Sequence, residues 1–117
     1  YYEAAISYIK EQTPDAHFYV FSDDSAYVKN AYPGKEFTVV DWNTGKNSLF
    51  DMQLMSCCNH NICANSTFSF WGARLNPSPD KVMIRPSKHK NSQNIVPEEM
   101  KRLWDGWVLI DGKGRII

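Results

Sequence analysis

The chain is 117 residues long, enough for one domain with a real core and too short for two. Apolar residues make up 43% and aromatic residues 14%, which excludes a disordered chain. Lys plus Arg number 13 and Asp plus Glu number 13, so no global field draws the chain to nucleic acid or an anionic membrane, and no apolar run approaches the roughly 20 residues of a membrane helix.

The first residues, Tyr1-Tyr2-Glu3, bring no Met and are already helical in pattern, which reads as a piece of a longer protein. Tyr2, Ala5, Ile6 and Ile9 recur at helical spacing, and Pro14 ends that helix. His17 to Phe21 is a continuous apolar run of strand length, bounded by Ser22-Asp23-Asp24. Ala26 to Ala31 predicts a short helix stopped by Pro33-Gly34, and Phe37 to Val40 a second strand. After the polar loop Asn43 to Asn47, Ser48 and Asp51 fit a capping box, and Leu49, Met52, Leu54 and Met55 carry a helix onward. Asn61 to Ala64 predicts a short strand, Thr67 to Leu75 a helix closed by Asn76-Pro77, and Lys81 to Ile84 a fourth strand. Trp107 to Ile110 predicts a last strand before the turn Asp111-Gly-Lys-Gly114.

Strands alternating with helices imply an α/β fold, with a mostly parallel sheet covered by helices on both faces. In such sheets ligands sit beyond the carboxyl ends of the strands. The loops to search are therefore 22–24, 41–47 and 65–67.

The most conspicuous block is Ser56-Cys57-Cys58-Asn59-His60-Asn61-Ile62-Cys63. Its spacing does not fit structural zinc, which favours two separated ligand pairs, and a cysteine inside a buried strand is an inert thiol. Three cysteines so close together make no disulfide framework, which favours a reducing compartment. The polar half that follows is more informative. Asn65-Ser66-Thr67 lies between a strand end and a helix start, where a hydroxyl caps the helix and free N–H groups form an anion site. As an N-glycosylation sequon the same triplet carries little, because nothing argues for secretion. Asp23 and Asp24 follow a buried strand directly; they read as a turn or helix cap, or as carboxylates that orient a ligand or act as a base. Asp51 reads as the acid of the capping box, or as a carboxylate that accepts from the two donors of a guanine edge. The basic run from Arg85 through Lys88, His89 and Lys90 reads as a solvated loop.

The block Asp51 to Ala73 resembles the signature of the alpha-1,2-fucosyltransferases of glycosyltransferase family 11, and Phe21-Ser22-Asp23-Asp24 is similar to that family's second motif at the expected spacing. Val82 to Pro86, and Val96-Pro97 through Trp104, are similar to its C-terminal region. The resemblance covers nearly the whole chain. It implies a Rossmann-like domain, the C-terminal half of a two-domain GT-B-like inverting glycosyltransferase whose N-terminal half is the missing partner. The donor would be GDP-L-fucose, the acceptor a galactose hydroxyl of a glycan, and no metal or cofactor would be needed. Asp51 would hydrogen-bond the guanine edge, Ser22, Asn65, Ser66, Thr67 and Phe68 would lie along the donor, and Asp23 and Asp24 would match an acidic pair needed for activity. The implied location is cytoplasmic, of bacterial type, or the Golgi lumen if an anchor precedes this piece.

Three features depart from the family's pattern. Phe70-Trp71-Gly72-Ala73-Arg74 stands where Trp-Trp-Gly-Ala-Trp is usual, Tyr27 replaces a nearby Trp, and the H-x-R-R-G-D-Y motif does not occur in these residues. The fragment alone is therefore expected to bind GDP weakly and to transfer nothing. Two other classes fit parts of the chain. One is a phosphoacceptor receiver domain, with its acidic pair and Asp41, although Lys81 precedes its strand where a receiver's lysine follows one and the block from 51 to 73 is left unexplained; the other is a non-catalytic guanine-nucleotide-binding module.

Overall fold

A computed structural model of the protein describes residues 1–43, 45–64, 66–87 and 97–117. Helix α1 (Tyr2–Gln12) turns Ala5 and Ile9 inward, and the Thr13 N–H returns to the Ile9 carbonyl at 2.8 Å just before Pro14 forbids another turn. Strands β1 (Phe18–Phe21) and β2 (Phe37–Val40) pair in parallel, Phe18 opposite Phe37 and Phe21 opposite Val40. Helix α2 (Ser25–Ala31) makes the crossover between them. From β2 the chain passes through a 3₁₀ turn (Gly45–Ser48) into α3 (Leu49–Ser56). Strand β3 (Asn61–Ile62), helix α4 (Thr67–Arg74) and strand β4 (Met83–Pro86) follow, then helix α5 (Pro97–Leu103) and strand β5 (Trp107–Ile110).

The class is α/β with parallel strands, but the strands form two small sheets where the sequence predicts one: β1–β2, and β3–β4–β5. β3 holds only two residues, and the N–H groups of Asn61 and Cys63 both go to the β4 side, at 3.0 and 2.8 Å; just beyond β3 the Cys63 carbonyl accepts from the Tyr1 hydroxyl at 2.5 Å. One core nevertheless serves both pieces. Ala5, Ile9, Ile84 and Ile110 are buried together, with Phe18 of β1 and Ile62, Val82 and Val108 packed against them. Because side chains alternate along a strand, the neighbouring residues Arg85, Trp107 and Leu109 face the other way. There Arg85 lies over the Trp104 ring and Trp107 stacks on Phe70 of α4, while Leu109 and Met100 are buried. The three-stranded sheet is thus covered by α1 on one face and by α4 and α5 on the other.

Three sequence expectations change. The fourth strand runs over Met83–Pro86, two residues later than 81–84, because Lys81 is committed elsewhere. Its Nζ donates to the carbonyls of Ala73 at 3.0 Å and Asn76 at 2.9 Å, closing the C-terminal end of α4. The capping box does not form: Ser48 has helical dihedrals (φ −61°, ψ −25°) inside the 3₁₀ turn and makes no side-chain cap. The third change is in α3, which carries apolar residues yet buries none, leaving Leu49 and Phe50 exposed. No helix among the described residues is long and apolar enough to cross a membrane.

Candidate functional site

Helices α3 and α4 define the site through the way their far ends are tied. Asn76, 3% exposed, donates from Nδ2 to the Cys58 carbonyl at 2.6 Å and to Asn61 Oδ1 at 2.8 Å. Asn61 in turn donates to the Met55 carbonyl at 2.8 Å. Next to this knot, Gly72 of α4 meets Met55 of α3 so closely that a Cβ at 72 would lie 2.8 Å from the Met55 Cβ. The C-terminal ends of both helices are therefore locked together. Each helix follows a strand's carboxyl end, so their N-terminal ends, carrying Asp51 and Ser66, open on that side of the sheet.

At the start of α4, Ser66 adopts extended dihedrals and accepts the Ser69 N–H on Oγ at 3.1 Å. The Phe70 N–H goes to the Ser66 carbonyl at 3.1 Å, and the Ser69 hydroxyl turns back to the Ala64 carbonyl at 3.3 Å. Thr67 and Phe68 are then the first-turn residues whose N–H groups have no acceptor within the helix. These two groups, at the positive end of the helix dipole, have the arrangement that receives phosphate oxygens. Ser66 contributes as the cap: its Oγ accepts from Ser69, and its O–H donates no hydrogen bond among the described residues. Asn65 lies outside the described residues.

The acidic pair divides. Asp24 is the N-cap of α2, accepting the Tyr27 N–H at 3.1 Å, and its own N–H donates to Ser22 Oγ at 3.0 Å. Ser22 and Asp24 thus build the turn after β1. Asp23 is exposed and makes no hydrogen bond or ion pair among the described residues, so of the two it is the carboxylate available to a ligand. Asp41, after β2, is held below the usual carboxylate range by Lys29, whose Nζ donates to it at 2.5 Å. The arrangement of a receiver domain is not built: Lys81 closes α4 at the far end, and Asp41 is paired with Lys29.

Asp51 stands in the first turn of α3, half-buried, with Oδ1 accepting from Asn43 Nδ2 at 2.9 Å. Asn43 lies in the loop after β2, and this contact takes the place of the predicted capping box. No described hydrogen bond joins Asp51 to the Ser66–Phe68 turn. What they share is their position at the strand carboxyl ends.

The cysteines part company. Cys57 is exposed, Cys58 is half-buried and Cys63 is buried, and no three His, Cys, Asp or Glu side chains among the described residues converge as metal ligands. Burial pushes the Cys63 thiol up to about 11, although it lies just past β3, not within it. His60 accepts the Val82 N–H on Nδ1 at 2.9 Å, which places the proton of a neutral ring on Nε2.

Sequence reasoning missed Arg85. It reads as part of a solvated run, but is 7% exposed in β4, with its guanidinium 3.7 Å from the Trp104 ring centre. Burial lowers its affinity for its proton, and the Tyr1 and Cys63 side chains act against that shift. The available signal was its place one residue after Ile84 in a strand, where alternation points it into the opposite face. Lys88, His89, Lys90 and Val96 lie outside the described residues. Phe70 and Arg74, two of the positions that depart from the resembled pattern, lie in the aromatic group beside Arg85. Phe70 stacks with Trp107 at 5.9 Å and meets Trp104 edge-on at 5.4 Å, with the Arg74 guanidinium 5.9 Å above it.

With that geometry established, comparison with known proteins is specific. The sequence model of glycosyl transferase family 11 matches residues 1–111. The O-antigen biosynthesis glycosyltransferase WbnK of Escherichia coli is 38% identical over 109 residues, covering 92% of this chain and 35% of that protein. An alpha-1,2-colitosyltransferase of Escherichia coli is 35% identical over 111 residues, covering 88% of this chain and 38% of that protein. The chain therefore spans a little over a third of the length of these relatives. No solved structure matches it.

Proposed function

The chain belongs to glycosyl transferase family 11, and from that premise we propose that it is the donor-binding part of an inverting alpha-1,2-fucosyltransferase using GDP-L-fucose. The fold is taken as Rossmann-like, the C-terminal half of a GT-B-like enzyme. The observation that carries the reading is the pair of helix starts at the strand carboxyl ends, with the Thr67 and Phe68 N–H groups on one and Asp51 on the other.

A nucleoside diphosphate needs donors for its oxygens and a discriminating group for its base. In this reading Thr67 and Phe68 receive the diphosphate, and Asp51 accepts the N1–H and exocyclic amine of guanine. The exposed rings of Trp42 and Phe50 flank that carboxylate's loop and helix turn and offer apolar surface to the faces of a base. As the galactose hydroxyl attacks the anomeric carbon in line, charge grows on the departing GDP, and donors aimed at its phosphates stabilise it where it develops. Within the motif associated with activity, Asp23 is the carboxylate left open to a ligand, since Asp24 caps α2. Without the family's H-x-R-R-G-D-Y motif the 117 residues transfer nothing by themselves. The working enzyme includes an N-terminal half, needs no metal, and acts in the cytoplasm.

The similarity to a colitosyltransferase favours one second reading, in which the sugar moved is colitose, a fucose lacking its 3-hydroxyl. Calorimetric titration with GDP, ADP and UDP tests the site. GDP should bind at least tenfold more tightly than ADP, and Asp51→Ala should remove that preference; equal affinities in the unaltered protein would reject the assignment. Transfer assays on the full-length protein with GDP-fucose against GDP-colitose then decide the sugar.

A further inference from the structure

The contact that replaces the expected capping box has a consequence for base selectivity. Asp51 has one hydrogen-bond partner among the described residues, the Asn43 amide, donating from Nδ2 to Oδ1 at 2.9 Å. The direction of that bond is fixed by chemistry, since an ionised carboxylate only accepts, so the amide must present its NH₂. Asn43 lies in the loop after β2 and Asp51 in the first turn of α3, so the bond also spans the 3₁₀ turn between them. No lysine or arginine among the described residues pairs with Asp51.

We infer that Asn43 is the positioning residue for guanine selectivity: its amide fixes the rotation of the Asp51 carboxylate while leaving one acceptor site on Oδ1 and all of Oδ2 for the base. The inference rests on the proposed reading of Asp51. A terminal carboxylate torsion is broad and roughly two-fold, so an unheld Asp51 would have to be ordered by the ligand itself. A neutral donor suits this task better than a cation. A lysine or arginine would compete for both oxygens and offset the charge that strengthens hydrogen bonds from the base. Guanine offers two adjacent donors on its N1 and N2 edge, hypoxanthine keeps N1–H alone, and adenine offers no N1–H, so the three diphosphates separate the contacts.

The test titrates the full chain with GDP, IDP and ADP, comparing the unaltered protein with Asn43→Ala, Asn43→Asp, Asp51→Ala and the Asn43→Ala/Asp51→Ala double variant. Asn43→Ala should weaken GDP about three- to tenfold, the scale of one ordinary hydrogen bond, since Asn43 acts on the base only through Asp51, while IDP falls less and ADP stays within about twofold. Asn43→Asp keeps the size but sets one carboxylate against another, and should fall below Asn43→Ala. The double variant should bind GDP no more weakly than Asp51→Ala, since Asn43 acts only through that carboxylate. The side-chain amide resonance of Asn43, followed in the free protein, should shift in Asp51→Ala with the rest of the spectrum unchanged. Parallel losses for all three nucleotides in Asn43→Ala, or additive losses in the double variant, would overturn the inference and leave Asn43 a structural tie. A GDP preference that survives Asp51→Ala would instead overturn the reading of Asp51, even where the amide resonance confirms the contact.

Discussion

Gly72→Ala tests whether the locked helix ends set the geometry of the donor site. A Cβ at 72 would lie 2.8 Å from the Met55 Cβ and 2.9 Å from its Sδ. Carbon atoms pack best at about 3.5–4.0 Å, so the two helices must part by roughly 0.7 Å or more. Sδ can swing away, but the Met55 Cβ is fixed to the backbone of α3. Overpacking of this kind costs about 1–3 kcal/mol, and Ala returns about 0.5–1 kcal/mol of helix preference over Gly, leaving a net loss centred near about 1 kcal/mol and at most about 2.5 kcal/mol. A loss of that size lowers the urea midpoint by about 1 M, with the slope unchanged. Because the parting moves the start of α3 against the start of α4, GDP affinity should fall as well, at temperatures where the variant is fully folded. Gly34→Ala is the control, since its Cβ would find nothing nearer than the Phe37 ring edge at 3.6 Å. A Gly72→Ala variant as stable as the unaltered protein, with the same GDP affinity, would refute the argument that this contact fixes the two helix starts.

Two further outcomes follow from the same geometry. With its thiol pushed up to about 11 and 3% exposure, Cys63 should resist iodoacetamide at pH 8 in the native protein, whereas exposed Cys57 labels readily; comparable native rates by mass spectrometry would contradict the burial. Asp111 accepts the Lys113 N–H at 2.9 Å, the Arg115 N–H at 2.8 Å and Arg115 Nε at 3.2 Å, which holds its carboxyl below the usual range. A carboxyl depressed in the folded state stabilises above its unfolded value of about 3.9 and loses that contribution as pH falls through the folded value. Asp111→Asn should therefore lower the urea midpoint at pH 7, with the gap closing on acidification, and a gap constant with pH would show the ionised form to be irrelevant.

Much of the fold was legible because its determinants are local. Phe37–Val40 is a strand at both predicted boundaries, and Ser66 caps α4 as its position before an apolar run requires. Asp24 likewise caps α2. These outcomes depend on residues within one turn of each other. The capping box failed for the opposite reason: the 3₁₀ turn draws Ser48 into helical dihedrals, and Asn43, outside any capping window, takes the carboxylate. The split into two sheets was hidden too, since β3 shortens to two residues and pairs with β4 alone, and no local pattern records which strands meet. Arg85 was misread because its partner, Trp104, comes from the turn between α5 and β5, and no local pattern records a ring waiting for a guanidinium.

The block of cysteines and His60 draws attention for the wrong chemistry, yet it is not filler. Cys58 gives its carbonyl to Asn76, Asn61 ties Met55 to the same amide, and His60 receives the Val82 N–H that leads into β4. The Asn61 and Asn76 amides and the Met55 and Cys58 carbonyls, four groups that would be costly to bury unpaired, are satisfied by one another at the C-terminal ends of α3 and α4. Such a network admits one arrangement of the two helices, because sliding either by a turn would leave Asn76 unpaired. A site that needs Asp51 and the Thr67–Phe68 turn at fixed separation gains rigidity from that knot without the knot touching any ligand. Substitution of Asn76 should therefore loosen nucleotide binding and lower stability together, whereas Asn43, at the ligand end, should affect mainly the choice of base.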